Sequence, residues 1–377
     1  MSEKIIAPKG LAGVVTDTTS VSKVMPEINA LVYRGYKVQD LAEHASFEEV
    51  AYLMTHDDLP TQAQHDEFTK KERGYRELSD TLKQVIQHFP KNAHPMDTLR
   101  TGVSFLGMED ERIWDDSPET SQDKYLMLLA KIPTIIAYCY RHSKGEDFIA
   151  PDASLSLSAN FFHMCFGEVP ADEVVKAFDV SLILYAEHSF NASTFTSRVI
   201  TSTTSDMYSA VCGAIGALKG PLHGGANEQV MHMLKEIGEP EQARQWMLDK
   251  IANKEKVMGF GHRVYRKGDS RVPTMKKYAR AMAEFTGTKK WLEISDILED
   301  TMVDEKGIYP NLDFPAGPAY YMMGFEIDMF TPIFVMARIT GWAAHIMEQR
   351  ADNRIIRPLS EYEGEGERAV KPLEQRG

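Results

Sequence analysis

Cysteine is scarce in this sequence of 377 residues, which contains only Cys139, Cys165 and Cys212. All three lie in apolar, helix-like surroundings, and no CxxC spacing joins any two of them. Isolated cysteines of this kind are typical of reduced packing residues, which excludes a disulfide framework and a cysteine-rich metal site. We therefore expect a cytoplasmic protein without a bound metal.

Long hydrophobic runs are missing too. The most apolar stretch, LMLLAKIPTIIAYCY, is interrupted by Lys131 and Pro133 and is too short to cross a bilayer. The first residues, MSEKIIAPKG, have no apolar stretch after their charges, so we expect no signal peptide. The sequence therefore predicts no contact with a membrane.

Positive charge is in deficit, with 42 lysines and arginines against 55 aspartates and glutamates. The net charge of -13 argues against a nucleic-acid partner, because phosphate binding needs a positive surface. The average field also repels small anions, so an anionic ligand would need a local basic pocket. One segment offers such a pocket, because MGFGHRVYRKGDSR, residues 258–271, places four cations beside His262.

Several motifs of known chemistry are absent. The sequence has no GxxxxGKS/T phosphate loop, no HExxH zinc motif and no GxSxG hydrolase turn. GFGHRV has two glycines of the dinucleotide-binding fingerprint but lacks the third glycine and a convincing preceding strand. A nucleotide-phosphate loop, a zinc site and a hydrolase serine are therefore not indicated.

Helical periodicity dominates what is present. Ser46 and Glu49 form a capping-box pattern at the start of one helix, and Thr331 followed by Pro332 marks the start of another. Alternating strand patterns are confined to residues 11–38, which could form a small sheet. With no repeated βαβ rhythm, the predicted fold class is mostly α with a small N-terminal β element.

Two segments rich in glycine and proline, residues 216–227 and 309–320, interrupt the helices. We predict a large helical domain that begins with residues 1–220 and a small helical domain at residues 221–324. Residues 325–377 would complete the large domain and end in a polar arm, although a frayed tail is an equal alternative for the last residues.

Three residues in and beside these breaks have side chains suited to acid–base chemistry. His223 in GPLHGGANE and His262 in GFGHR lie between or after glycines, which let an imidazole come close to a ligand. Asp313 in NLDFPAGP has apolar neighbours, and partial desolvation would make its carboxylate more basic. The structural alternatives are loop histidines without a task and a turn aspartate beside proline.

Arginines suited to holding an anion occur in three segments, as Arg271, Arg338 and Arg357. A planar guanidinium can bind a carboxylate through two hydrogen bonds, although a structural salt bridge is the commoner role. His188, at the end of a predicted helix, could equally be a cap or a buried histidine. The whole set suits proton abstraction beside a carbonyl on an anionic substrate, and the residues alone do not name that substrate.

These segments resemble the citrate synthase family over nearly the whole chain, from LAGVV to IIRPLSEY. The most specific blocks are GPLHGGANE, GFGHRVY with the following DSR, NLDF, and the long block from FTPIF to IIRP. AEHSFNASTFTSRVI and that long block look most like the 2-methylcitrate synthase branch, and short bacterial citrate synthases share much of them. The resemblance implies a two-domain, mostly helical homodimer with its active site shared between subunits.

The resemblance also implies roles for individual residues. His223, His262 and Asp313 would be the catalytic three. The residues implied to hold oxaloacetate are His188, Arg271, Arg338, Lys71 and Arg357, the last reaching in from the partner subunit. Those implied to bind coenzyme A are Lys256, Val257, Met258, Gly259, Phe260 and Arg266, the last at a coenzyme phosphate. Phe260 departs from the family pattern, in which many members have tyrosine, and so does the FPAGP run after Asp313.

The reaction implied is the condensation of propionyl-CoA or acetyl-CoA with oxaloacetate and water, which releases coenzyme A. The products would be 2-methylcitrate or citrate, in propionate catabolism or the tricarboxylic acid cycle. Asp313 would remove the α-proton of the thioester, His223 would donate a hydrogen bond to its oxygen, and His262 would polarise the ketone. The thioester is a co-substrate, and no tightly bound cofactor is implied.

Two other functions are compatible with these residues. A metal-dependent aldolase or lyase acting on a dicarboxylate could use His188, His223 and His262 as ligands, and chelator-insensitive activity would exclude it. A non-catalytic relative could bind coenzyme A as a sensor. All three catalytic positions carry the residue types that the enzyme needs, which favours the enzyme.

Overall fold

The computed structural model describes residues 8–265 and 267–376. Near its beginning, three short strands form one antiparallel sheet, in the order β1 (Ser22–Met25), β2 (Ala30–Tyr33) and β3 (Tyr36–Lys37). In the register of this sheet, Lys23 pairs with Val32, and Val32 pairs with Lys37. The predicted N-terminal β element is confirmed.

Helices make up most of the remaining chain. The first ten are α1 (Val38–His44), α2 (Phe47–His56), α3 (Gln62–Tyr75), α4 (Asp80–Gln87), α5 (Pro95–Glu109), α6 (Pro118–Lys144), α7 (Leu157–Phe166), α8 (Asp172–Tyr185), α9 (Ala192–Ser202) and α10 (Met207–Leu218). The others are α11 (Ala226–Ile237), α12 (Pro240–Ala252), α13 (Val272–Thr286), α14 (Lys290–Lys306), α15 (Asp313–Met322) and α16 (Phe330–Ala351). The mostly α prediction is confirmed. Among the described residues, no helix combines the length and the apolar character that a bilayer crossing requires.

The two predicted helix starts have different outcomes. At α2 the capping box is confirmed, because the N–H of Glu49 donates to Ser46 Oγ at 3.2 Å and the N–H of Ser46 donates to Glu49 Oε2 at 2.7 Å. The predicted cap at Thr331 is wrong, since α16 begins at Phe330 and its N-cap makes no side-chain bond. The hydroxyl of Thr331 donates instead to Glu228 of α11, a tertiary contact that outweighs local capping.

Helix α16 lies at the centre of the molecule. It packs against α2, α5, α6, α8, α9 and α10, and every residue from Phe330 to Ile346 is buried. Arg338 is therefore only 1% exposed, in a helix that has no solvated face. A buried guanidinium is costly unless it is paired, so this position needs a partner from the protein or from a ligand.

Helices α11 to α15 pack mainly on one another. α15 lies against α11 and α13, and α12 lies against α14. This group also touches the rest of the molecule, where α13 contacts α8 and α11 contacts α16. The division into residues 1–220, 221–324 and 325–377 stays a prediction. The segment after α16 is extended and exposed.

Candidate active site

Backbone pairing brings the loop of His262 against the loop of Asp313. Residues 259–261 run antiparallel to residues 309–311, with two N–H···O bonds of 2.9 Å. The side-chain amide of Asn311 also donates to the carbonyl of Gly261 at 3.0 Å. His262 and Asp313, two of the three predicted catalytic residues, therefore lie within two residues of this short antiparallel pair.

The imidazole of His262 has a defined tautomer. Its Nδ1 accepts hydrogen bonds from the N–H groups of Val264 and Tyr265, at 3.0 and 3.1 Å. Nε2 of the neutral ring must therefore carry the proton. Burial lowers the pKa of His262 to about 4, so at neutral pH the ring is an uncharged donor. Its ring centroid lies 4.9 Å from that of His188.

His223 is held in the turn that precedes α11, and its tautomer is also defined. The N–H of Ser193 donates to Nε2 at 3.3 Å, which makes Nε2 the acceptor and leaves the proton on Nδ1. The hydroxyl of Ser193 lies 2.8 Å from the same nitrogen and accepts a hydrogen bond from the indole of Trp342 at 3.1 Å. Burial, with the nearby Arg338, lowers the pKa of His223 to about 3.

Asp313 is the first residue of α15, and its carboxylate is a plausible base by environment. Burial raises its pKa to about 6, against the opposing effects of a hydrogen bond from Tyr185 and the charge of Arg271. The hydroxyl of Tyr185 donates to Oδ1 at 2.7 Å. The group is thus largely ionised at neutral pH, yet more basic than an ordinary aspartate.

Phe334 of α16 packs near both His223 and Tyr185. Its ring centroid lies 6.1 Å from His223 and 4.1 Å from Tyr185, which contacts Asp313. The guanidinium of Arg338 lies over the same ring at 4.7 Å. Phe334 thus links His223 to the Tyr185–Asp313 pair and also contacts Arg338.

Two buried nitrogen atoms in this region have no hydrogen-bond partner among the described residues. Arg338 donates through Nε to the carbonyl of Tyr185 at 2.7 Å, but its buried Nη1 has no partner within the described part of the chain. The same holds for Nε2 of His188, a residue 8% exposed. A buried polar group without a partner costs about 1–3 kcal/mol. These two nitrogen atoms therefore favour a site that a polar or anionic ligand completes.

Arg271 is buried and already paired. It binds Asp269 through Nε at 3.0 Å and Nη2 at 2.6 Å, and Asp269 also accepts from the N–H of Leu312. Although burial raises it, Arg271 holds the pKa of the Asp269 carboxyl well below its usual range. The pair fixes the guanidinium beside the Asp313 loop.

The predicted coenzyme segment leads into the site. Lys256 is exposed, Val257 is buried and Met258 is half-buried. Gly259 has a φ of +81°, and a Cβ there would lie 2.7 Å from Cγ2 of Val230, so only glycine fits. The ring of Phe260 lies 4.6 Å from that of Phe314.

Two predicted site residues, Lys71 and Arg357, are not brought to this region within one chain. Lys71 lies on α3 with 60% of its side chain exposed and pairs with Glu67 at 3.0 Å. Arg357 is exposed in the segment after α16. Arg266 lies outside the described residues.

Sequence reasoning missed three residues that the structure places in the site. Asp269 carried a weak signal, because an acid two residues before an arginine in the DSR block can pair with it. Tyr185 and Ser193 carried none, since each lies in a helix-like pattern and finds its partner only through packing.

The described residues contain one group of three metal-ligand side chains whose ligand atoms lie within 4.8 Å of one another. It consists of His94, Glu228 and Asp328 and includes none of the three histidines proposed as aldolase ligands. A cavity of about 200 Å³ beside it is lined by His94 and Asp328, and no predicted site residue lines it. The aldolase hypothesis thus gains no support from the positions of His188, His223 and His262.

Comparison with known proteins shows the family of this chain. The family model described as "Citrate synthase, C-terminal domain" matches residues 10–359. A 2-methylcitrate synthase of Mycobacterium tuberculosis is 55% identical over 362 residues, which cover 96% of this chain and 92% of the relative. A citrate synthase of Mycolicibacterium smegmatis is 56% identical and is covered to 96%, as is this chain.

Solved structures agree as well. The citrate synthase of Thermoplasma acidophilum, solved as a ternary complex with carboxymethyl coenzyme A and oxaloacetate, superposes with a TM-score of 0.93. It is 32% identical, and the match covers 98% of this chain and 99% of that one. None of these comparisons supports the metal-dependent aldolase. This chain belongs to the citrate synthase family.

Proposed function

We propose that this site condenses an acyl-CoA thioester with oxaloacetate and water. Propionyl-CoA would give 2-methylcitrate and acetyl-CoA would give citrate, with release of coenzyme A in both cases. The observation that carries the proposal is a carboxylate of pKa about 6 whose loop pairs with that of His262 and whose partner Tyr185 packs on the same phenyl ring as His223. Its support comes also from relatives named for both reactions and from the ligands of the Thermoplasma complex.

Asp313 is the base of the proposed reaction. The α-carbon of a thioester is weakly acidic, and a carboxylate made more basic by burial removes its proton more readily. Nδ1–H of His223 would donate to the thioester oxygen, where negative charge develops as the proton leaves. A neutral imidazole can perform that task, because its Nδ1–H donates a hydrogen bond although the ring carries no charge.

The second substrate would be activated by His262. Its Nε2–H, fixed by the two backbone donors to Nδ1, would polarise the ketone of oxaloacetate for attack by the new carbon nucleophile. Water then hydrolyses the condensed thioester, which frees coenzyme A. Closure of the small domain over the large one would keep bulk water from the carbanion-like intermediate.

Oxaloacetate would be held by Arg271, Arg338 and His188. Nη1 of Arg338 and Nε2 of His188, which have no partner among the described residues, would bind its carboxylates, and Arg271 adds charge. This explains how an acidic chain attracts a dianion: the positive groups are local and buried, and act at short range in a low dielectric.

The remaining assignments belong to the same proposal. Residues 256–260 would run along coenzyme A, with Arg266 at a phosphate. Arg357 and Lys71, which lie away from the single-chain site, would reach oxaloacetate only across the interface of a homodimer. We also propose a cytoplasmic location, supported by cysteines that are all free, of which Cys139 and Cys165 are buried.

The deciding experiment measures coenzyme A release from propionyl-CoA and acetyl-CoA at saturating oxaloacetate. The two acyl groups differ by one methylene, which an apolar pocket distinguishes by about 1–3 kcal/mol, so kcat/KM should differ by no more than about two orders of magnitude. Undetectable turnover of propionyl-CoA would make the protein a dedicated citrate synthase. No turnover of either thioester would reject the condensation itself.

A further inference from the structure

The segment that carries His188, residues 186–189, is anchored by the N-terminal sheet. The hydroxyl of Tyr33 donates to the carbonyl of Glu187 at 3.0 Å. An amide of the segment donates to Oγ of Ser22 at 3.0 Å. The position of the His188 ring therefore depends on contacts that lie outside the substrate site.

The carboxylate of Glu187 is the strongest of these anchors. It is 0% exposed, and its Oε1 accepts from Ser22 Oγ at 3.0 Å and lies 2.9 Å from Nε2 of His345. Its other oxygen lies so close to α16 that a Cβ at Gly341 would be 2.2 Å away. The carboxylate thus ties the segment to β1 on one side and to α16 on the other.

The contact with His345 joins a buried carboxylate to a buried imidazole. Although burial opposes it, Glu187 raises the pKa of His345, and His345 and Arg338 hold the pKa of the Glu187 carboxyl below its usual range. The other ring nitrogen of His345 lies 3.6 Å from Glu348 and 3.3 Å from Nη1 of Arg198. A buried pair of this kind is costly to form, so it needs a reason beyond stability.

We propose that Glu187, through Ser22 and His345, is a positioning residue that holds His188 in place for oxaloacetate. The inference rests on the proposed function. Glu187 also offsets the buried charge of Arg338, but a negative group beside a pocket for a dicarboxylate weakens binding of that anion. Its contacts with Ser22 and His345 hold the geometry of residues 186–189.

Glu187→Asp tests this proposal, because it keeps the charge but withdraws the carboxylate by one methylene from both partners. We expect KM for oxaloacetate to rise about tenfold, the scale of one hydrogen bond to a charged group. kcat at saturating oxaloacetate and KM for acyl-CoA should stay within about threefold of the wild type, because Asp313 and the coenzyme segment are untouched. The matched control is Glu348→Asp, the same change on the far side of His345.

Hydrogen–deuterium exchange of residues 186–189 provides a readout that does not depend on activity. Exchange should be faster in Glu187→Asp than in Glu348→Asp. If Glu187→Asp does not fold, Ser22→Ala should show the same rise in KM for oxaloacetate and the same faster exchange. An unchanged KM for oxaloacetate, or a fall in kcat as large as that in kcat/KM, would overturn the inference while the proposed function stands. Equal exchange rates in Glu187→Asp and Glu348→Asp would also overturn the inference. An absence of turnover in the wild type would instead reject the proposed function.

Discussion

The hydroxyl of Tyr185 donates a hydrogen bond of 2.7 Å to Oδ1 of Asp313. Burial raises the pKa of this carboxyl to about 6, and the hydrogen bond works in the opposite direction because it stabilises the ionised form. The two effects leave a carboxylate that is ionised at neutral pH and is more basic than that of an ordinary aspartate. Tyr185 has to be a donor here, since burial raises its own pKa well above the usual value.

Asp313→Asn should lower kcat by about 10²-fold or more, because the amide keeps the shape of the side chain but cannot accept the α-proton. Oxaloacetate affinity, measured by calorimetry, should stay near that of the wild type. Turnover close to wild type in this variant would remove Asp313 from the mechanism.

The wild-type rate should depend on pH through Asp313. Below a pH of about 6 the carboxyl is protonated and inactive, and above it the carboxylate is ionised and active. A plot of kcat/KM for the acyl-CoA should therefore fall about tenfold per pH unit on the acid side of that value. His223 and His262 should not contribute to this limb, since their pKa values lie near 3 and 4. An acid limb that is absent down to pH 5 would contradict the assignment.

Tyr185→Phe should move the acid limb to higher pH, by about one unit, because the hydrogen bond that stabilises the carboxylate is lost. Tyr320→Phe is the matched control: this neighbouring hydroxyl bonds Ser181 at 3.0 Å and makes no hydrogen bond to Asp313. Equal pH profiles for the two variants would show that the Tyr185 hydroxyl does not tune the base.

Asp269→Asn should lower the free energy of unfolding by about 3–5 kcal/mol, because it leaves the buried charge of Arg271 without its counter-ion. The pKa of Asp269 is held low in the fold, so its stabilisation is present above the unfolded value and is lost as pH falls. Urea unfolding at pH 7 measures the effect. Asp57→Asn provides a control, since this carboxylate is 76% exposed in its pair with Arg34 and should matter by about 0–1 kcal/mol. Similar losses in both variants would count against the buried-charge argument.

If the chain forms the proposed homodimer and Arg357 reaches the partner's site, Arg357→Ala should inactivate the protein. Mixing it with Asp313→Asn subunits should restore part of the activity, because one hybrid site then has both intact residues. Subunit exchange can be followed by mass spectrometry of tagged chains. No recovery after confirmed exchange would mean that Arg357 acts within its own chain.

Local patterns in the sequence were enough to predict the fold class and to propose the reacting residues. Helical periodicity is a local property of the chain, and so is the setting of His223 and His262 beside glycines or of Asp313 among apolar residues. The N-terminal sheet was predictable for the same reason. Thr331 was placed wrongly as a cap, because its hydroxyl is taken by Glu228, 103 residues away.

The tautomers, pKa values and hydrogen bonds of these groups depend on the tertiary structure. Tyr185 and Asp313 are 128 residues apart, and Glu187 and His345 are 158 apart. Contacts over such distances depend on how helices α8, α15 and α16 pack, and periodicity specifies which face of a helix is buried but not what it meets. The tautomers of the histidines, the raised pKa of the base and the unpartnered donors all follow from that packing, because hydrogen bonds and desolvation act over a few ångströms of space and not along the chain.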